Sequence, residues 1–134
     1  MADFSVAYKR TGVFEGGYSC EEPDNGNWTG GKVGVGNLVG TICGITAYEV
    51  KDYLGKEPTV DMVKYFPENA RKDIYRKKYW DIVRGDEIEN QDIANQLYDE
   101  QVNAGGNGVK LAYQIAGLEP KLKISDELIK TLNS

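Results

Sequence analysis

The chain has 134 residues, 40% of them hydrophobic and 28% charged, which suits one domain with a single buried core. Its net charge of −5 argues against nucleic acid as the main partner, and no apolar run approaches the roughly 20 residues of a membrane-spanning helix, so no stable membrane insertion is expected. Histidine is absent, which removes Ser-His-Asp and Cys-His catalysis and histidine-ligated metal sites, and the two cysteines cannot complete a zinc site alone.

Met1-Ala2-Asp3-Phe4 shows no basic region followed by an apolar stretch, so no secretory signal is visible. Asp3 is placed to cap a first helix, with Phe4, Tyr8, Thr11 and Glu15 at helical spacing. The Gly16-Gly17 pair is the expected stop. Glu15 would then sit on the last turn, where the partial negative charge of the helix end disfavours a carboxylate and invites a functional explanation.

Tyr18 to Ile45 is glycine-rich, with turn signals at Asp24-Asn25-Gly26-Asn27 and Thr29-Gly30-Gly31. Lys32 to Val35 and Leu38 to Ile42 are short apolar pieces expected to form a small hairpin or meander. The segment reads as a loop-rich lobe laid over a cleft. Cys20 and Cys43 bracket it and are within reach of pairing, although two buried free thiols are favoured without a secretion signal.

Thr46-Ala47-Tyr48-Glu49 fits a capping box opening a helix that Gly55 and Pro58 end. Thr59 caps a short helix through Tyr65, and Pro67 opens the next, carried by Ala70, Ile74 and Lys78 to Trp80 as far as Arg84-Gly85. Ile93, Ala94, Leu97 and Val102 predict another helix, closed by Gly105-Gly106. Val109, Ala112, Ile115 and Ala116 predict one closed by Gly117, and Ser125 begins a last helix to Leu132. The outline is α+β and mostly α: one helix, a small glycine-rich β lobe, then a helical bundle. Charge is uneven along it. Lys64 to Arg84 holds seven basic and three acidic residues, whereas Asp86 to Glu100 holds six acidic and no basic ones. Two solvated helix faces are the plainer account, and a basic rim for an anionic polymer the functional one.

Hydrolytic chemistry in this chain must rest on carboxylates, hydroxyls and backbone donors. Glu15, Glu21, Glu22 and Asp24 all fall within ten residues. Glycoside hydrolysis commonly uses two carboxyl groups, one protonated and one ionised. Glu15, beside Phe14 and Tyr18, suits the protonated role through partial desolvation. Asp24, in a wetter turn, suits the ionised role, with Glu22 or Glu21 as alternatives. Thr41 is placed to hold a water, whereas Thr46 already has a capping task. Tyr75, Tyr79 and Trp80 form an aromatic group beside basic residues; Tyr75 is assigned to the core, and Tyr79 and Trp80 stay open between core and sugar stacking. No metal or organic cofactor is called for.

Four blocks in order resemble one family. Phe14-Glu15-Gly16-Gly17-Tyr18-Ser19 is similar to the Glu-Gly-Gly-Tyr signature of glycoside hydrolase family 108, muramidases often found in phages and prophages. Gly44-Ile45-Thr46 resembles its Gly-Ile-Thr, and Ile74 to Asp81 its Tyr-x-x-x-Tyr-Trp block. Leu97 to Gly105 resembles its Phe-Asp-x-x-Val-Asn-x-Gly, with Tyr98 in place of phenylalanine. Four ordered blocks are more specific than any one tetrapeptide.

The resemblance implies a lysozyme-like fold and cleavage of the β-1,4 bond between N-acetylmuramic acid and N-acetylglucosamine in peptidoglycan glycan strands. It carries the catalytic acid onto Glu15 and favours Asp24, nine residues on as in phage-type lysozymes, as the second carboxylate. Tyr18, Thr41, Thr46, Tyr79, Trp80 and Asn103 are the accompanying substrate-side candidates, Asp99 and Asn103 bracing a helix that faces the cleft. Residues 1–106 would form the catalytic domain, and 107–134 resemble the opening of the family's peptidoglycan-binding region. Asn25 to Val39 departs from the family's shorter turn. The expected setting is a protein made in the bacterial cytoplasm that acts on the cell wall, reaching it through a separate pore or export partner. The rival class is a non-catalytic wall- or partner-binding protein on a degenerate lysozyme scaffold.

Overall fold

The computed structural model describes residues 1–12 and 17–134. Among these, seven α-helices and one two-stranded sheet make up the regular structure, giving a mostly α, lysozyme-like α+β fold. The chain divides into two compact units, one made of Met1–Gly12 and Tyr75–Ser134 and the other of Val13–Ile74. No helix among the described residues is long and apolar enough to cross a membrane.

The first unit opens with α1 (Phe4–Thr11), capped by the Asp3 carboxylate, which accepts from Ser5 N. The helix ends at Gly12, whose φ of 60° and ψ of 44° are left-handed and whose N–H bonds back to Tyr8 O. The stop expected at Gly16-Gly17 therefore comes earlier, because Gly12 is the first residue able to take that conformation without a Cβ penalty. Glu15, and with it the helix-end argument made for its carboxylate, falls outside the described residues.

α5 (Gln91–Asn103), α6 (Asn107–Ala116) and α7 (Asp126–Leu132) follow the apolar spacing expected of them; Ser125 caps α7 as expected, and Asn90, not foreseen, caps α5. α5 packs on both α1 and α6, and α6 on α7. Gln91 clips the chain start to α5: its side-chain oxygen accepts from Asp3 N at 2.7 Å and its amide donates to Asp3 O at 3.1 Å. The core contains Phe4, Tyr8, Trp80, Leu97, Tyr98 and Tyr113, all at most 5% exposed. Tyr113 closes the far end, donating to Lys123 O and accepting from Ser125 N.

α4 (Glu68–Tyr75) does not continue as an α-helix. Arg76–Trp80 form a π-helical turn, in which Asp81 N bonds to Arg76 O, five residues back. The extra residue in that turn is tied to an anchor: Trp80 is fully buried, its indole N–H donates to Asp86 at 2.9 Å, and Arg76 grips both oxygens of the same carboxylate. The Trp80 ring lies so close to Gly85 that a Cβ there would meet it at 2.2 Å.

The second unit begins with β1 (Tyr18–Ser19), antiparallel to β2 (Thr41–Ile42). Between them the chain folds back on itself in nested steps. Val39 N and Gly40 N donate to Asn27 O, Thr29 N to Asn37 O, and Gly30 N to Val35 O, while Lys32 and Val35 bridge across the tip. This corrects the expected hairpin: Leu38 to Ile42 pairs with Tyr18, Ser19 and Trp28 rather than with Lys32 to Val35. Ile42 and Ile45 exchange both backbone hydrogen bonds around Cys43 and Gly44, each with positive φ, as in a primed hairpin turn. No disulfide joins the two cysteines among the described residues, and neither is buried as expected: Cys20 is exposed and Cys43 half-buried.

α2 (Ala47–Leu54) starts from the predicted capping box and ends at Gly55 in the left-handed region. α3 (Val60–Lys64) starts from Thr59 and packs against β2. Ile45, Val50, Val63 and Phe66, each at most 2% exposed, form the centre of this unit.

Candidate active site

The carboxylate-bearing loop is held by a dense set of backbone bonds. Asp24 N and Asn27 Nδ2 both donate to Glu21 O, at 3.2 and 3.0 Å, and the indole N–H of Trp28 donates to Glu22 O at 2.8 Å. Asp24 caps the short turn Asn25–Asn27: its Oδ1 accepts from Gly26 N at 2.9 Å and its carbonyl from Asn27 N at 3.1 Å. The side chains of Asp24 and Glu22 are exposed, and only one oxygen of Asp24 is hydrogen-bonded among the described residues.

Gly26 is where the predicted residues gather. A Cβ at this position would lie 3.4 Å from Asp24 Oδ1, 3.6 Å from Thr41 Oγ1 and 3.5 Å from Thr46 Cγ2. Three candidates from different parts of the sequence thus flank the space left by one missing side chain. The Thr41 hydroxyl has a single proton, which it gives to Asn27 Oδ1, with Gly26 O 3.2 Å away as the weaker acceptor. Toward the space beside Gly26, Thr41 therefore offers lone pairs and acts as an acceptor, next to an acceptor carboxylate. Thr46 has the capping task read from the sequence: its Oγ1 accepts from Glu49 N, and Glu49 reaches back to Thr46 N at 3.0 Å.

Tyr18 is half-buried, and its hydroxyl donates to Val39 O at 2.8 Å while its ring lies against Gly40. Burial, reinforced by Cys20 and Asp61, pushes its hydroxyl up to about 12, so it stays protonated. Its visible task is to lock β1 onto the returning strand.

The remaining candidates belong to the first unit. Tyr79 is half-buried against Tyr75 and Tyr98, with the Lys78 ammonium 5.4 Å from its ring centre. Trp80 has no exposed surface and packs on Phe4 and Tyr98, so it offers no face to a sugar and belongs to the core with Tyr75. Asn103 is exposed and donates to Asp99 Oδ1 at 3.2 Å, and Thr11, the last residue of α1, donates to the same oxygen at 3.0 Å. One carboxylate thus joins the C-terminal ends of α1 and α5. Glu15 lies outside the described residues.

Sequence reasoning missed Asn27. It is a fully buried polar side chain with both ends of its amide bonded, one to the carboxylate loop and one to β2. Within an Asp-Asn-Gly-Asn run it reads as another turn residue, and nothing in the pattern separates a buried asparagine from an exposed one.

The model of the family described as Glycosyl hydrolase 108 matches residues 8–105. Among solved structures, the structure of Brucella abortus SagA is similar to this chain at 24% identity and a TM-score of 0.63, covering 96% of this chain and 67% of that one. That likeness is one of fold. Comparison with curated proteins finds no match. With the family model spanning Tyr8 to Gly105, and with it both the carboxylate loop and the helices around Tyr98, the chain belongs to the glycosyl hydrolase 108 family.

Proposed function

We propose that the chain is an N-acetylmuramidase that cleaves the β-1,4 bond between N-acetylmuramic acid and N-acetylglucosamine, with Glu15 as general acid. Its family makes it a glycoside hydrolase of the peptidoglycan-degrading kind. The finer assignment is supported by one observation above all: Asp24, Thr41 and Thr46 surround Gly26, although 22 positions separate the first from the last.

In this reading Glu15 protonates the glycosidic oxygen as the bond breaks. Asp24, exposed and with one oxygen unengaged among the described residues, either steadies the cationic transition state or takes a proton from water. Thr41, its proton directed at Asn27, accepts from a water in the same space and turns it toward the sugar. Glu22 is the alternative second carboxylate, because its backbone belongs to the same pinned loop. Tyr79 and Asn103 are retained as substrate-side candidates, with Tyr18 shaping the lobe. Residues 107–134 are the proposed opening of a wall-binding region, in which α6 packs directly on α5. A phage or prophage setting with a separate pore partner completes the proposal.

The residue assignment is tested by clearing of purified peptidoglycan sacculi. Glu15→Gln and Asp24→Asn are expected to lose most or all activity, on the order of 100-fold or more, with unchanged thermal unfolding. Wild-type clearing rates in Glu15→Gln would remove the acid from its role. If instead Asp24→Asn is fully active and Glu22→Gln is not, the second carboxylate is Glu22.

A further inference from the structure

The backbone of the carboxylate loop is gripped by two side chains, one fully buried and one half-buried. Asn27 has no exposed surface, yet every polar group it owns is engaged. Its N–H donates to Asp24 O, its carbonyl accepts from Val39 N and Gly40 N, its amide nitrogen donates to Glu21 O, and its amide oxygen accepts from Thr41. The amide cannot be turned over, because its oxygen would then face the Glu21 carbonyl. Trp28 adds the second grip through its indole N–H on Glu22 O.

Resting on the muramidase reading above, we propose that Asn27 and Trp28 are positioning residues for the second carboxylate. Buried asparagine is costly unless satisfied, and here its bonds run to the two elements whose side chains flank Gly26. Asn27 Nδ2 sets the height of the turn carrying Asp24. Asn27 Oδ1 sets the rotor of Thr41 and thereby makes it an acceptor. One amide thus fixes both groups, and Trp28 holds the intervening residue. Neither residue touches substrate in this account; each acts through Asp24 or Thr41.

The test is steady-state turnover on soluble glycan strands for wild type, Asn27→Asp, Trp28→Phe and Asp24→Asn, each first checked for cooperative unfolding. Asn27→Asp keeps the acceptor toward Thr41 but sets a carboxylate against the Glu21 carbonyl. The expected result is a fall in kcat of about 10- to 100-fold with KM changed by no more than about twofold. Its turnover relative to wild type should rise as pH falls, because the protonated carboxyl can again donate to Glu21 O. Trp28→Phe, a milder change at a half-buried site, should lower kcat several-fold in the same pattern and keeps the test open if Asn27→Asp does not fold. A folded Asn27→Asp or Trp28→Phe enzyme with wild-type kcat, its only defect a lower melting temperature, would overturn the proposal and leave a purely structural role. Wild-type turnover in Asp24→Asn would instead overturn the reading beneath it, and the positioning role with it.

Discussion

At the residue scale, the first unit contains a polar atom with no evident return. Tyr98 has no exposed surface, sits among Phe4, Tyr79 and Trp80, and its hydroxyl finds no hydrogen-bond partner among the described residues. Burial, with Tyr75, Tyr8 and Tyr79 nearby, holds that hydroxyl protonated well above the ordinary tyrosine range. A buried, unpaired hydroxyl costs about 1–3 kcal/mol, and phenylalanine fills the same volume without it. Tyr98→Phe should therefore be as stable as wild type or up to about 1 kcal/mol more so, read as a shift of the urea midpoint at constant m-value. A loss of more than about 1 kcal/mol would mean that the hydroxyl has a partner after all. The tyrosine itself was legible as a departure from the phenylalanine of the resembling motif, but the lack of a partner for its oxygen among the described residues was not, since pairing depends on what the fold leaves nearby. Asn27 is the opposite case: a residue unremarkable in the sequence that turns out to hold five hydrogen bonds.

At the element scale, helices with caps and regular apolar spacing were readable before any coordinates. α2 is the plainest example, because Thr46 and Glu49 satisfy free N–H groups reciprocally. Thr46 also flanks Gly26, so its two roles need separating. Thr46→Ala should cost about 1 kcal/mol of stability, and Thr46→Ser should recover it. Activity that tracks stability across the pair would confine Thr46 to capping. The π-helical turn Arg76–Trp80 was not readable, because Tyr75 to Trp80 has ordinary helical composition and the residue that Arg76 and Trp80 both bond, Asp86, lies beyond the helix. Hydrogen bonding from Trp80, then the Arg76 charge, holds the Asp86 carboxyl below its usual range. A depressed carboxyl stabilises the fold fully above its unfolded value and loses that contribution as pH falls through its folded value. The melting-temperature gap between wild type and Asp86→Asn should accordingly be widest near neutral pH and close below about pH 4. A gap independent of pH would assign the loss to packing rather than charge. The β lobe was legible only as irregular. Its pairing is supported by side-chain bonds of Asn27 to Glu21 O and Thr41, and of the Thr29 hydroxyl to Asn37 N, which leave no period to count.

At the scale of the whole molecule, family and fold class were readable because four separated motifs survive in order, and the family match from residue 8 to 105 spans all of them. The candidate site was legible only as residue types and their spacing. Asp24, Thr41 and Thr46, each singled out in the sequence, lie around Gly26, whereas Asn27, bonded to the same loop and to β2, is distinguished by burial, which a single sequence does not display. Under the proposed function, this chain hydrolyses peptidoglycan at N-acetylmuramic acid through Glu15. Mass spectrometry of the fragments released from purified sacculi by wild type and by Glu15→Gln reads both parts of that proposal at once. Muropeptides with reducing N-acetylmuramic acid ends are expected from wild type and none from the mutant. Reducing N-acetylglucosamine ends would contradict the bond assignment, equal release by Glu15→Gln would contradict the acid, and tight binding to sacculi without release would make the chain a wall-binding module instead.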